Sequence, residues 1–177
     1  MRGKRCVYPP IRAIVVIRSP GKSGFLQKNK LCLNRQAQPM TNDEVTAIIA
    51  RAFESASEPD PRFAADDEMQ LINYFGDIFP TEFNIMRALL PKYYIPGDHL
   101  PADEIIHDYE WETKNNPNFA TDFIPFYAVG NGDYLCLSRS VGKTSPVLYV
   151  AHDDPRVEIL HDTFADYLND PDWFLLK

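Results

Sequence analysis

From Val45 the apolar positions Val45, Ile48, Ile49, Ala52 and Phe53 recur at the three-and-four spacing that turns one helix face toward a core. Thr41 or Asn42 supplies the cap, Asp43 and Glu44 sit in the positive first turn, and Ser57-Glu-Pro-Asp-Pro61 breaks the run, so the pattern predicts a helix over 41–55. A second helix is expected over 65–75, with Met69, Ile72 and Phe75 on its apolar side and Gly76 at the C-cap position. Pro80 opens a third, whose apolar surface is Phe83, Met86, Ala88, Leu89 and Leu90 and which stops before Pro91. Lys92–Leu100 reads as a short strand through Tyr93, Tyr94 and Ile95, followed by a turn at Pro96-Gly97. After Pro101, the acids Asp103 and Glu104 and the spacing of Ile105, Ile106, Tyr109 and Thr113 predict a helix to about Lys114. A strand with Ile105, His107, Tyr109 and Trp111 on one face is the alternative; the proline and the early acids favour the helix.

Beyond the Asn115-Asn-Pro-Asn loop the period changes. Asp122–Val129 is a nearly continuous apolar run, Gly130-Asn-Gly132 a glycine-rich turn, and 133–138 alternates, with Tyr134 and Cys136 on one face and Leu135 and Leu137 on the other. This is a hairpin. Pro146–Ala151 reads as a further strand with its proline at the start. Val157–Leu168 reads as a closing amphipathic helix with Leu160, Phe164, Tyr167 and Leu168 as its buried stripe. Helices first, then an antiparallel meander, then a helix make an α+β domain. Trp173 is expected to cover an edge of the core.

Charge divides the chain. Residues 1–39 hold nine Lys and Arg and no acid, whereas 40–177 hold the other nine against all 25 acids, a body of −16 behind a head of +9. The head has a pure apolar run of only five residues, Ala13–Ile17, shorter than the roughly 7–15 of a secretory signal. Pro9, Pro10, Pro20 and Gly21 break the amphipathic helix an organellar presequence needs. A phosphate-binding arm or an unstructured basic extension remain, and the extension is the simpler reading: residues 1–39 as a disordered extension and 40–177 as one domain. No run approaches the ~18–20 apolar residues of a membrane-spanning helix. Three cysteines, Cys6, Cys32 and Cys136, form neither a disulfide framework nor a zinc pattern, so Cys136 is expected to be a buried apolar residue in a reducing, cytoplasmic setting.

Motif by motif, the chemistry is sparse. Gly142-Lys143-Thr144 lacks the glycine of a phosphate loop, since Leu137 holds that position, and Pro146 starts a strand where the loop needs a helix. His99, His107, His152 and His161 form no HxH or HExxH, and are expected to be solvated loop and helix residues. In so acidic a body, paired carboxylates do not nominate a general acid and base. No catalytic, metal or cofactor site is expected. Gly132 and Asp133 are explained as a turn: glycine supplies a positive φ and aspartate binds nearby backbone amides.

Five short motifs carry a resemblance. Phe79-Pro80-Thr-Glu-Phe83 after Phe75-Gly76 resembles the LG-x-x-LP-x-x-Y/F opening of the SUKH superfamily, the Smi/Knr-like family. Leu100-Pro-Ala-Asp-Glu-Ile-Ile is similar to its following acidic helix, and Ile124-Pro-Phe126 with Gly132-Asp133-Tyr134 to its P-F and G-D hairpin. Pro146-Val147-Leu-Tyr149 with His152-Asp153 is similar to its V-y-y-x-d-H strand, and Thr163-Phe164-Ala-Asp-Tyr-Leu168 to its closing s-F-x-e-F-L helix. The order and spacing run over about 66–170. Two departures stand out: Lys92-Tyr-Tyr-Ile-Pro-Gly97 replaces the family's Asn-Gly-Gly, and Ser138 replaces the acid that ends the G-D strand.

The resemblance implies a central, mostly antiparallel sheet flanked by helices, with no catalytic centre. Many bacterial members of the family are immunity proteins that bind and block a toxin, often a nuclease. Fungal relatives act as regulatory scaffolds in cell-wall synthesis or signalling. The acidic body then suggests how binding would work: a negative surface that steers and plugs a basic toxin domain, with no direct nucleic-acid binding by the body. Two acidic faces are the candidates. One gathers Asp103, Glu104, Asp108, Glu110 and Glu112 around Trp111, with Tyr109 a second possible anchor. The other places Glu158, Asp162 and Asp166 one helical turn apart on the closing helix. A solvated surface that aids solubility is the competing explanation for both.

Overall fold

The computed structural model describes residues 14–15, 39–52, 60–63, 65–90 and 98–170. Its helices are α1 (Asn42–Ala52), α2 (Ala65–Phe75), α3 (Thr81–Leu89), α4 (Ala102–Asn115) and α5 (Phe164–Leu168). Its strands are β1 (Ile14–Val15), β2 (Asp98–His99), β3 (Phe123–Gly130), β4 (Asp133–Ser138), β5 (Val147–Val150) and β6 (Val157–His161). All strands pair antiparallel in one sheet, in the order β1-β6-β5-β4-β3-β2. The fold is α+β. From the basic head, Ile14 and Val15 lie opposite Glu158 and Val157 at the sheet's edge. The remainder of residues 1–38 lies outside the described residues, as do the strand expected at 93–95 and Trp173.

Local chemistry explains most of the boundaries. Thr41 caps α1 in a reciprocal box: its Oγ1 accepts from the Glu44 amide at 3.3 Å while Glu44 Oε2 accepts the Thr41 amide at 2.8 Å. Pro80 and Pro101 stand at the N-caps of α3 and α4. The β3–β4 turn uses three successive positive φ values, at Gly130, Asn131 and Gly132. Glycine, or asparagine with its short side chain, is what this backbone tolerates.

β3 reads as a continuous apolar run because helices cover both faces of the sheet. Register puts Leu135, Leu137, Ile124 and Val147 on one face and Tyr134, Cys136 and Leu148 on the other. α4 packs on the second face, where the Tyr134 hydroxyl donates to Asp108 at 3.2 Å. On the first, Phe126 at a β3 bulge meets the rings of Phe83 from α3 and Phe164 and Tyr167 from α5. α1 packs on α3 and α2 on α4. Cys136 is fully buried, and burial pushes its thiol well above the ordinary value, as befits a packing residue.

Three expectations are corrected. The run 157–168 is not one helix: Val157–His161 is β6, and α5 starts only after Thr163, whose extended backbone and Oγ1, accepting from the Asp166 amide, form a new N-cap. Sheet pairing through Val147–His161 and Val150–Val157 overrides the helical spacing, which is accidental across that break. In α2, Met69 is 55% exposed, and the inward row is Asp67, Leu71 and Phe75, at four-residue spacing. The histidines are not uniformly solvated: His99 and His161 are buried. Burial, with Arg87 and Arg62 nearby, pulls His99 down to about 3, and its Nε2 lies 3.1 Å from the Tyr167 hydroxyl.

Candidate interaction surface

α4 is anchored by an inward row of Ala102, Ile105, Tyr109 and Glu112. The spacing of three, four and three residues is one face of a helix. Everything half a turn away from that row must face outward, and Asp103, Glu104, His107, Glu110 and Trp111 do so. Trp111 is 54% exposed. Between Ala102 and Thr113 the helix carries five acids and no Lys or Arg. Of the acids expected on this face, Asp103, Glu104 and Glu110 are exposed.

Two α4 acids and one aromatic depart from expectation. Glu112 is 4% exposed, because it falls on the inward row; there it accepts from Asn116 Nδ2 at 2.8 Å. Asp108 is half-buried on the flank against the sheet, where burial raises its carboxyl above the ordinary value against the opposing hydrogen bond from Tyr134. Tyr109 is buried, with its hydroxyl donating to the Thr121 carbonyl at 2.9 Å. None of the three is an exposed contact residue.

The second acidic face does not exist as a helix row. Glu158 is half-buried on β6, Asp162 is exposed in the following loop, and Asp166 is exposed on α5, where its Oδ2 accepts from Thr163 Oγ1 at 2.8 Å. Separate elements hold the three, so no repulsion at helical spacing arises between them.

Sequence reasoning missed Tyr74. It is 40% exposed on α2, and its hydroxyl donates to Glu110 Oε1 at 2.8 Å, fixing that carboxylate across the α2–α4 seam. Its signal was faint: Tyr74 precedes Phe75 at the edge of the inward row of α2. The two contact each other edge-on, with ring centroids 4.7 Å apart.

The glycine–aspartate turn has a structural task. Asp133 Oδ1 accepts the His152 backbone amide at 3.0 Å and faces His152 Nδ1 at 3.0 Å, while Oδ2 accepts from the Tyr149 hydroxyl. Burial alone would raise Asp133; the bonds from Tyr149 and His152 outweigh it and hold the carboxyl below its usual range. Gly132 lies under His152, and a Cβ there would meet His152 Cβ at 3.3 Å on a backbone of φ +88°. Gly132→Ala is therefore expected to lower stability by about 1–2 kcal/mol, read as a fall in the urea midpoint with unchanged slope.

Ser138 and Lys143 are also accounted for locally. Ser138 Oγ donates to Asp122 Oδ2 at 2.6 Å, and Asp122 Oδ1 accepts the Ser140 amide at 2.7 Å, so a carboxylate is present at this corner from the neighbouring segment. Lys143 sits in a short 3-10 turn and pairs with Asp77 at 2.6 Å, tying the β4–β5 loop to the end of α2.

Among the described residues, no group of three or more His, Cys, Asp or Glu is placed to hold a metal ion, and no helix is long and apolar enough to cross a membrane. No curated protein matches the chain. A family model described as SMI1-KNR4 cell-wall matches residues 78–168, just over half of the chain. That span runs from the approach to α3 to the end of α5 and includes the outward face of α4 and the Asp133–His152 contact. The chain belongs to the SUKH superfamily, in its SMI1-KNR4 cell-wall family.

Proposed function

We propose that this protein is a non-catalytic, cytoplasmic immunity-type protein that binds a toxin domain, a nuclease being one candidate, and blocks it by occlusion. The observation that carries this reading is the outward face of α4, where Asp103, Glu104 and Glu110 surround the exposed Trp111 in a body of −16. A toxin that acts on nucleic acid presents a basic surface. An acidic face steers such a surface into contact, and an exposed aromatic gives the contact apolar area.

The decisive experiment co-expresses the protein with any toxin domain found encoded beside its gene. Rescue of toxin-treated cells and a stable complex are expected; no complex and no rescue would sink the proposal. Steering also has a salt signature. Association should slow by about tenfold or more as ionic strength rises from ~0.01 M to ~0.3 M, because the Debye length falls from about 30 Å to below 8 Å. Reversing Glu104 and Glu110 to Lys should slow association further and reduce its salt dependence, measured by stopped-flow. A salt-independent rate removes the electrostatic argument.

A second reading is a regulatory scaffold in cell-wall synthesis or signalling, favoured by the description of the matched family. Affinity capture that returns wall-synthesis proteins, with no protection against any toxin, would select it.

A further inference from the structure

We propose that the outward face of α4 is a docking site for an arginine-bearing segment of a basic polypeptide, with the Trp111 indole as the stacking surface. The proposal rests on the reading above that the partner is basic, and adds that the recognised group is the guanidinium. Charge alone would not need a tryptophan. Among the described residues the exposed large apolar side chains are Met69, Tyr74, Trp111 and Val141, and Trp111 stands on the acid-rich helix. An indole left half in water costs burial that the core could have used.

The placement suits a guanidinium. His107 lies one turn before Trp111 and Glu104 two turns before, on the same side of the helix; Asp103 and Glu110 line the adjacent row. Tyr74 holds the Glu110 carboxylate in place at 2.8 Å. The Asn115 side chain donates to the Trp111 carbonyl at 2.8 Å, pinning the helical turn that carries the indole. The like charges nearby are Lys114, one turn beyond Trp111, and Arg139, whose guanidinium lies 6.0 Å from the Phe75 ring and acts electrostatically on the neighbouring Tyr74. Docking is therefore centred on 103–111. A guanidinium can stack its plane on the indole while its N–H groups reach a carboxylate in a fork; a lysine ammonium offers charge without the plane.

The test uses the full chain carrying Trp173→Phe, so that Trp111 is the sole tryptophan. Hepta-arginine and hepta-lysine are titrated at equal ionic strength, followed by tryptophan emission and by calorimetry. Hepta-arginine should bind about two- to fivefold more tightly and perturb the emission. Trp111→Leu, confirmed as folded by circular dichroism, should erase that preference while leaving the charge-driven binding common to both peptides. Tyr74→Phe should weaken arginine binding selectively. Equal affinities, or a preference that survives Trp111→Leu, overturn the proposal, as does loss of self-association in Trp111→Leu with no change in peptide binding, which would make the occupant a second copy. Arginine preference without toxin neutralisation leaves this site standing and removes the immunity role. Neutralisation undiminished in Trp111→Leu does the reverse.

Discussion

Replacing Arg87 by alanine should cost about 3–5 kcal/mol, a large share of the ~5–15 kcal/mol that typically holds a domain folded. Arg87 is 3% exposed on α3 and is held from several directions. Its Nε donates to Asp67 Oδ2 at 3.0 Å, a second guanidinium nitrogen pairs with the same oxygen, and Nη1 donates to the Leu100 carbonyl at 2.6 Å. Asp67 in turn accepts the first amide of α4, from Ala102, on Oδ1. The rings of Phe63 and Phe83 lie 4.9 and 5.1 Å from the guanidinium carbon. One ion pair thus joins α2, α3 and the start of α4. Removing the arginine leaves the Asp67 carboxylate buried without its counter-charge, and that desolvation sets the cost, not the pair's Coulomb energy. Urea unfolding of Arg87→Ala and Arg87→Lys measures it. Lysine keeps the charge but loses the fork, and should fall between alanine and the native chain. A loss under about 1 kcal/mol for alanine would show that the pair holds nothing together.

Stability should also fall steeply in acid. His99 stays neutral in the fold down to about pH 3, whereas in the unfolded chain it titrates near 6.5. Below pH 6.5 the unfolded state gains a proton that the folded state refuses, so the fold weakens as pH falls from 6.5 toward 3, by up to about 1.4 kcal/mol per pH unit. Burial also lowers His161, against the pull of Asp170, Asp166 and Asp162, and this works in the same direction. Asp133, held low in the fold, loses its contribution as pH drops through the acid range. To isolate His99, urea midpoints of His99→Gln and the native chain are compared from pH 7 to pH 4. Glutamine can still reach the Tyr167 hydroxyl but cannot titrate, so its curve should be flatter by close to one proton. Parallel curves would mean that His99 takes up its proton as readily in the fold as outside it.

The effect on binding follows a different logic from the effect on stability. Arg87 and His99 face inward, and their loss weakens the packing of the domain rather than any contact with a partner. The outward residues of α4 should behave oppositely. Substitutions at Glu110 and Trp111 should change association and leave unfolding nearly unaltered, since exposed positions away from caps and buried pairs contribute within about 0.5 kcal/mol, whereas reversing Glu104, in the first turn of α4, should also cost about 0.3–1 kcal/mol of stability.

How much of this was legible in sequence depends on the range of the information. Helices α1 to α4 and strands β3 to β5 follow from spacing, caps and prolines, all properties of a few neighbouring residues. The hairpin turn follows from its glycines, and membership of the family from five motifs in order. The failures have one cause. The run 157–168 has helical spacing by accident, and the decision between strand and helix came from β5, which offered Val157–His161 a pairing edge. Asp67 looks like any first-turn acid beside Asp66 and Glu68 until Arg87, 20 residues on, turns it inward. Glu112 looks like its exposed neighbours until the inward row of α4 is known.

The α+β order of elements, the acidic body and the Trp111-bearing acidic helix are written in neighbouring residues, because periodicity, capping and charge are local. Which polar groups of that helix face outward and which are spent inside was set by packing. That choice depends on contacts between residues far apart in the chain, such as Tyr74 with Glu110 across 36 positions and His99 with Tyr167 across 68. No local pattern records them, because the burial that selects one carboxylate over its neighbour exists only once the sheet and helices have packed.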